Sequence, residues 1–130
     1  MKKTTNLLIV ALVLIIAACS KDQKVVKQLE GTWKVTSAKH NGVAEPDSVY
    51  SGTRYTFESC KVKKGDCAGT VSEDGKSFPF TYNISEKGTK MTVTMLGVSS
   101  TSDILEHSKS KFVWKTTDGS DVDETTIEKI

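Results

Sequence analysis

The chain has 130 residues with 18 Lys and Arg against 16 Asp and Glu, which allows one domain and is too short for an α/β-barrel or doubly wound enzyme. Lys2 and Lys3 fall in an apolar N-terminal segment of 18 residues; the other 112 balance 16 basic against 16 acidic groups. Those 112 residues, neutral and with Arg54 as the sole arginine, lack the cationic surplus that phosphate backbones demand, which excludes nucleic acid as the expected partner.

Met1 to Asn6 is a short basic lead, and Leu7 to Ala18 is an unbroken apolar run of 12 residues. That build suits a signal peptide and falls short of the about 18–20 residues that span a membrane. The run closes as Ile16-Ala17-Ala18-Cys19. A branched apolar residue, two small residues and a cysteine resemble the lipobox of bacterial lipoproteins. The resemblance implies cleavage before Cys19, an S-linked diacylglycerol on its thiol, and an N-acyl group of the palmitate kind on its amine. Several chains anchor stably, since each buried methylene contributes about 0.8 kcal/mol. The expected organisation is a signal peptide over 1–18, a tether over 19–28 and a folded domain over 29–130. Ser20 stands where many inner-membrane lipoproteins carry Asp, so the resemblance implies the outer membrane. Lys21-Asp22-Gln23 resembles a surface-export tag and departs from it at Gln23. The periplasmic face and the cell surface both stay open.

Residues 21–30 form a polar leader, in which Val25, Val26 and Leu29 hint at a short helix or turn. Strands are expected over Thr32–His40, Thr53–Val62, Cys67–Val71, Ser77–Ser85, Met91–Leu96, Thr101–Glu106, Lys111–Thr117 and Asp123–Ile130. Turn residues split them at Asn41-Gly42, Lys63-Lys64-Gly65-Asp66, Asp74-Gly75, Lys87-Gly88, Gly97, Ser108-Lys109-Ser110 and Asp118-Gly119. No gap is long enough for a parallel crossover helix. Eight antiparallel strands joined in order predict an all-β, up-and-down barrel, which leaves no edge open. Period-two alternation points Trp33, Val35, Tyr55, Phe57, Phe78, Phe80, Tyr82 and Ile84 inward. Met91, Val93, Met95, Phe112 and Trp114 follow the same pattern. The sixth and eighth strands alternate poorly. Pro79 removes a ladder N–H, which predicts a bulge or a locally unpaired position.

Leu29-Glu30-Gly31-Thr32-Trp33 opens the first strand. Gly-x-Trp in that place resembles the lipocalin signature, and with the lipobox and eight strands the chain resembles the small lipocalin-like lipoproteins of Gram-negative bacteria. The likeness covers residues 29–130. It implies that Trp33 plugs the closed end beneath a basic residue near the last strand, Lys115 or Lys129. It also implies a binding role for a small apolar ligand, with Trp33, Tyr55, Phe80, Tyr82, Met91 and Met95 as candidate contacts. So many large inward groups predict a mostly filled barrel with a shallow pocket opposite Trp33. An enclosed apolar cavity above roughly 300 Å³ would instead favour a carrier.

Cys60 and Cys67 flank a turn, and export places them in an oxidising compartment, so a disulfide is expected. His40 and His107 sit beside turns, and no nucleophile elbow or zinc-binding helix motif occurs. Asp118, Asp121, Asp123 and Glu124 do not have EF-hand spacing and read as a solvated hairpin tip. Asp47-Ser48-Val49 resembles a bacterial O-glycosylation site on Ser48. The expected protein is a noncatalytic monomer without cofactor or metal, lipid-anchored at the outer membrane. The alternative role is a protein-interaction or inhibitor module of the cell envelope.

Overall fold

The computed structural model describes residues 21–61 and 66–130. Cys19, the signal segment and the turn residues Lys63, Lys64 and Gly65 lie outside the described residues. Residues 21–29 are helical (α1). The strands are β1 (Gly31–His40), β2 (Val43–Ala44), β3 (Arg54–Phe57), β4 (Cys67–Glu73), β5 (Lys76–Ser85), β6 (Lys90–Met95), β7 (Val98–His107), β8 (Lys111–Asp118) and β9 (Asp121–Lys129). One helical turn, α2 (Asp47–Tyr50), follows β2. The sheet runs β2-β1-β3-β4-β5-β6-β7-β8-β9, and β1 also pairs with β9. The closed barrel therefore has eight strands, β1 and β3 to β9, all antiparallel. The two-residue β2 is a flap on the end of β1.

Turn chemistry sets the register. Asn41-Gly42, Asp74-Gly75 and Leu96-Gly97 each place two residues at positive φ, from 49° to 80°. Paired positive φ values give the tight hairpins whose twist matches that of the strands. The second strand ends at Phe57 rather than running on through Lys61, because the chain leaves the ladder to reach the Cys60–Cys67 disulfide, with Cα atoms 5.5 Å apart. Pro79 sits opposite Thr70 without a bulge. The β5–β6 pairing begins only at Thr81, so Pro79 faces no partner on that side. The two bulges fall elsewhere, between Val35 and Ser37 in β1 and between Ile104 and Glu106 in β7. The second explains the poor alternation of β7, since an extra residue flips the faces that follow it.

The core runs through the barrel from Trp33, Phe112 and Ile127, each 0% exposed, to Phe57, Phe80, Tyr82, Ile84, Met91 and Trp114. Phe78 is a correction: its phase is inward, yet it is 40% exposed, because that end of β5 projects past the β5–β6 pairing. The helical hint at Val25, Val26 and Leu29 is realised as α1, which buries all three side chains in the core cluster. A nine-residue helix is marginal alone, so tertiary packing of this apolar face holds it.

Candidate functional site

The two ends of the barrel differ in construction. At one end α1 closes it. Asp22 accepts a hydrogen bond from the Gly88 N–H at 2.7 Å, and Gln23 donates to the Cys60 carbonyl at 3.2 Å. Gln28 meets His107 at 2.6 Å. Trp33 Nε1 donates to the Leu29 carbonyl at 2.6 Å, and Phe112 meets the indole edge-on at 5.8 Å. Lys129, paired directly with Trp33 in register, places its Nζ 4.9 Å from the indole centroid. The same ammonium donates to the carbonyls of Glu30 at 2.8 Å and Gln28 at 3.2 Å. A cation at a helix C-terminus, over an indole face, is favoured by both dipole and ring quadrupole. Lys129, not Lys115, is thus the basic residue over Trp33; Lys115 faces Asp103 across β7–β8. Gly31 takes φ 123° between helix and strand, with the Lys129 side chain 3.5 Å from where a Cβ would stand. A backbone of that shape favours glycine, which gives the Gly-x-Trp spacing its physical reason.

The other end is open. Inside it lies a pocket of about 170 Å³ with Tyr55, Phe80, Met91, Met95 and Trp114 among its walls. Four of the six expected contacts, Tyr55, Phe80, Met91 and Met95, are brought together there. Trp33 and Tyr82 are not: Trp33 belongs to the closed end, and Tyr82 packs on Phe57 at 5.2 Å. Burial, with Glu30 adding, pushes the Tyr82 phenol up to about 12, and among the described residues its hydroxyl has no hydrogen-bond partner. Tyr55 meets Trp114 edge-on at 5.7 Å. Burial, reinforced by Glu73, raises the pKa of its phenol.

The part of the pocket wall on β7 and β8, beside Met91 and Trp114, is polar. Ser100, Ser102 and Thr116 line it, and Ser100 and Ser102 stand across from Val93 and Met91 in the β6–β7 register. Two serines on inward positions leave volume that a leucine or valine would fill, which is why space exists in an otherwise packed barrel. Ser102, 7% exposed, meets the Thr116 hydroxyl at 2.6 Å. A hydroxyl pair spends one donor on itself and keeps one O–H and several lone pairs for a guest.

Tyr55 and Met95 line a second space too, an open groove of about 490 Å³ at the mouth. Tyr50, Val71, Phe78 and Leu96 are part of its wall. Leu96 is 86% exposed at φ 51°, a conformation costly for a bulky residue. Val43, Val49 and Val98 are also exposed, at 70%, 55% and 72%, and their elements adjoin the turns of this end. The hydroxyl wall and Leu96 escape sequence reasoning. Serine and threonine read as outward-facing residues, and only the register with Met91 and Val93 reverses that reading.

Among the described residues, neither histidine holds a Ser or Thr hydroxyl. His40 Nδ1 lies 2.7 Å from Asp123, and Asn41 donates to Asp121 at 3.1 Å. The acidic hairpin tip is therefore clamped to the β1–β2 turn. Among the described residues no group of three His, Cys, Asp or Glu side chains is arranged to hold a metal. Ser48 is exposed on α2.

A family model described as "Lipocalin-like domain" matches residues 29–114. A crystal structure of a lipocalin-like protein from Bacteroides uniformis superposes with a TM-score of 0.51 at 17% identity, over 79% of this chain and 99% of that one. A redesigned beta barrel gives 0.52 at 13% identity, covering 82% of this chain and 95% of its own. Another, bound to DFHBI, gives 0.51 at 13% identity over 81% and 98%. At these identities the likeness is one of fold. No curated protein matches the chain.

Proposed function

The chain belongs to the lipocalin-like domain family, whose members are generally binding proteins rather than enzymes, and we propose that it is a noncatalytic, lipid-anchored monomer that takes a small, mostly apolar ligand through the barrel mouth. The observation that carries this reading is the pocket of about 170 Å³ sharing Tyr55 and Met95 with the mouth groove. Aromatic and methionine side chains supply contact area, and methionine adapts to irregular shapes. The Ser102–Thr116 pair offers a polar end one partner. The pocket's volume of about 170 Å³ suits a compact guest or the tip of a longer one, with the remainder in the groove. The neighbour bound to DFHBI illustrates that a barrel of this kind takes a small molecule. Acyl chains on Cys19, by its lipobox resemblance, would hold the protein at the outer membrane.

The exposed Leu96, Val98, Val43 and Val49 favour a second reading, an interaction module that docks an envelope protein by its mouth. Native mass spectrometry of protein isolated from the envelope separates the two. A bound small molecule that is lost in Ser102→Leu supports the first. A protein complex with an empty pocket supports the second. Digestion of the same sample reports on Cys19: diacylglycerol and acyl mass is expected, and an unmodified thiol would end the anchor reading.

A further inference from the structure

The closed end carries a cavity that ligand binding does not use. A groove of about 580 Å³ is lined by Gln23, Lys24, Lys27, Gln28, Lys109 and Lys129. Four ammonium groups border one space, and among the described residues no carboxylate lines it. Lys24 and Lys27 share a face of α1 at i, i+3 spacing; Lys109 comes from the β7–β8 turn and Lys129 from the end of β9. Among the described residues, the lysine ion pairs are Lys90–Asp103 and Lys111–Glu106, and neither uses a lysine of the groove. The acid within α1, Asp22, is engaged by the Gly88 N–H. Lys129 is fixed by backbone carbonyls, which orient its charge without neutralising it. In residues 19–130, whose charges balance as a whole, this is a local excess of positive charge with an anion-sized space in its middle.

Its place in the chain identifies the anion. Lys21 follows Cys19 by two residues, a span of at most about 7 Å, and α1 is docked on the barrel rather than swinging from it. We propose that this groove is a membrane-docking site for anionic phospholipid headgroups, so that the closed end rests on the bilayer and the mouth points away from it. The proposal takes its membrane from the Cys19 anchor reading, while the headgroup contact is measurable without it. Near an anionic surface each lysine is worth about fivefold in binding, and the effect decays within a Debye length of about 8–10 Å at moderate salt.

The test is a lysine footprint on the isolated protein reconstituted in two kinds of vesicle, phosphatidylcholine alone and phosphatidylcholine mixed with phosphatidylglycerol. An amine-acetylating reagent is applied, and each lysine is quantified by mass spectrometry. Lys24, Lys27 and Lys109 are expected to react about fivefold more slowly on the phosphatidylglycerol vesicles, with high salt restoring their reactivity. Lys39 and Lys76 should react equally on both. Equal reactivity of the groove lysines on the two vesicles, or protection of Lys39 and Lys76 instead, overturns the proposal. Protein without acyl chains would end the anchor reading alone. The same comparison, on protein mixed with the vesicles, then decides the groove: salt-sensitive protection on phosphatidylglycerol supports it, and no protection refutes it.

Discussion

Replacing Leu29 by alanine tests whether α1 is part of the fold. Leu29 is 0% exposed and packs in the core cluster. Its truncation removes three carbon groups, worth about 2.4 kcal/mol at roughly 0.8 kcal/mol per methylene. The space left behind adds about 24 cal/mol per Å³ of unfilled volume, which brings the expected loss to about 3–4 kcal/mol. The Trp33 hydrogen bond uses the Leu29 carbonyl, so alanine keeps it and packing alone is measured. For a domain of this size the melting temperature should fall by about 10–15 °C. Urea unfolding followed by Trp fluorescence gives the free energy directly, with exposed Lys27→Ala on the same helix as reference, expected within about 0.5 kcal/mol of wild type. A Leu29→Ala loss below about 1 kcal/mol would mean that the helix is a tether after all, and would refute the closed-end description.

Gly69→Ala should destabilise by about 1–3 kcal/mol, because a Cβ there would lie 2.4 Å from Phe80 Cζ and 2.8 Å from the Thr56 carbonyl; unchanged urea stability would show that the Phe80 ring does not lie over β4. Reducing Cys60–Cys67, which closes a short loop of sequence separation 7, should cost about 2.5 kcal/mol in the chain-entropy picture, read from unfolding with and without reductant. His40 has its pKa raised above 6.5, first by the hydrogen bond to Asp123, with burial opposing and the charges of Asp123, Asp121 and Glu45 adding. The folded state thus favours the protonated ring. The stabilisation of the turn-to-turn clamp is complete below the unfolded value and fades as pH rises through the raised one. An NMR titration should show the His40 midpoint above 6.5 and a return toward it in Asp123→Asn; identical midpoints would remove Asp123 as the cause.

The barrel is legible because its strands alternate and its turns are spelled by Asn-Gly, Asp-Gly and Lys-Gly, so even the closing partners β1 and β9 lie within two residues of expectation. What stays hidden depends on register. Lys115 and Lys129 are equivalent in composition, and only the Trp33–Lys129 pairing separates them. The hydroxyl wall is hidden because Ser100 precedes the expected sixth strand, and the Ile104–Glu106 bulge scrambles its pattern. The α1 plug is hidden because Val25, Val26 and Leu29 are a thin stripe among lysines and glutamines, too short a signal to tell a docked helix from a leader. Phe78 is misplaced because alternation reports the face of a strand and not how far along the barrel wall a residue lies.

The most direct measurement of mouth binding is a ¹³C-methyl methionine spectrum titrated with 2-naphthol, a flat apolar probe with one hydroxyl. Met91 and Met95 both line the pocket, and the Trp33 indole at the closed end serves as the reference. Saturable ring-current shifts of both methyls are expected, weakened at least tenfold in affinity by Ser102→Leu, while the Trp33 indole N–H stays in place. Methyl signals that do not move, or shifts centred on Trp33 and α1 instead, would contradict binding through the mouth.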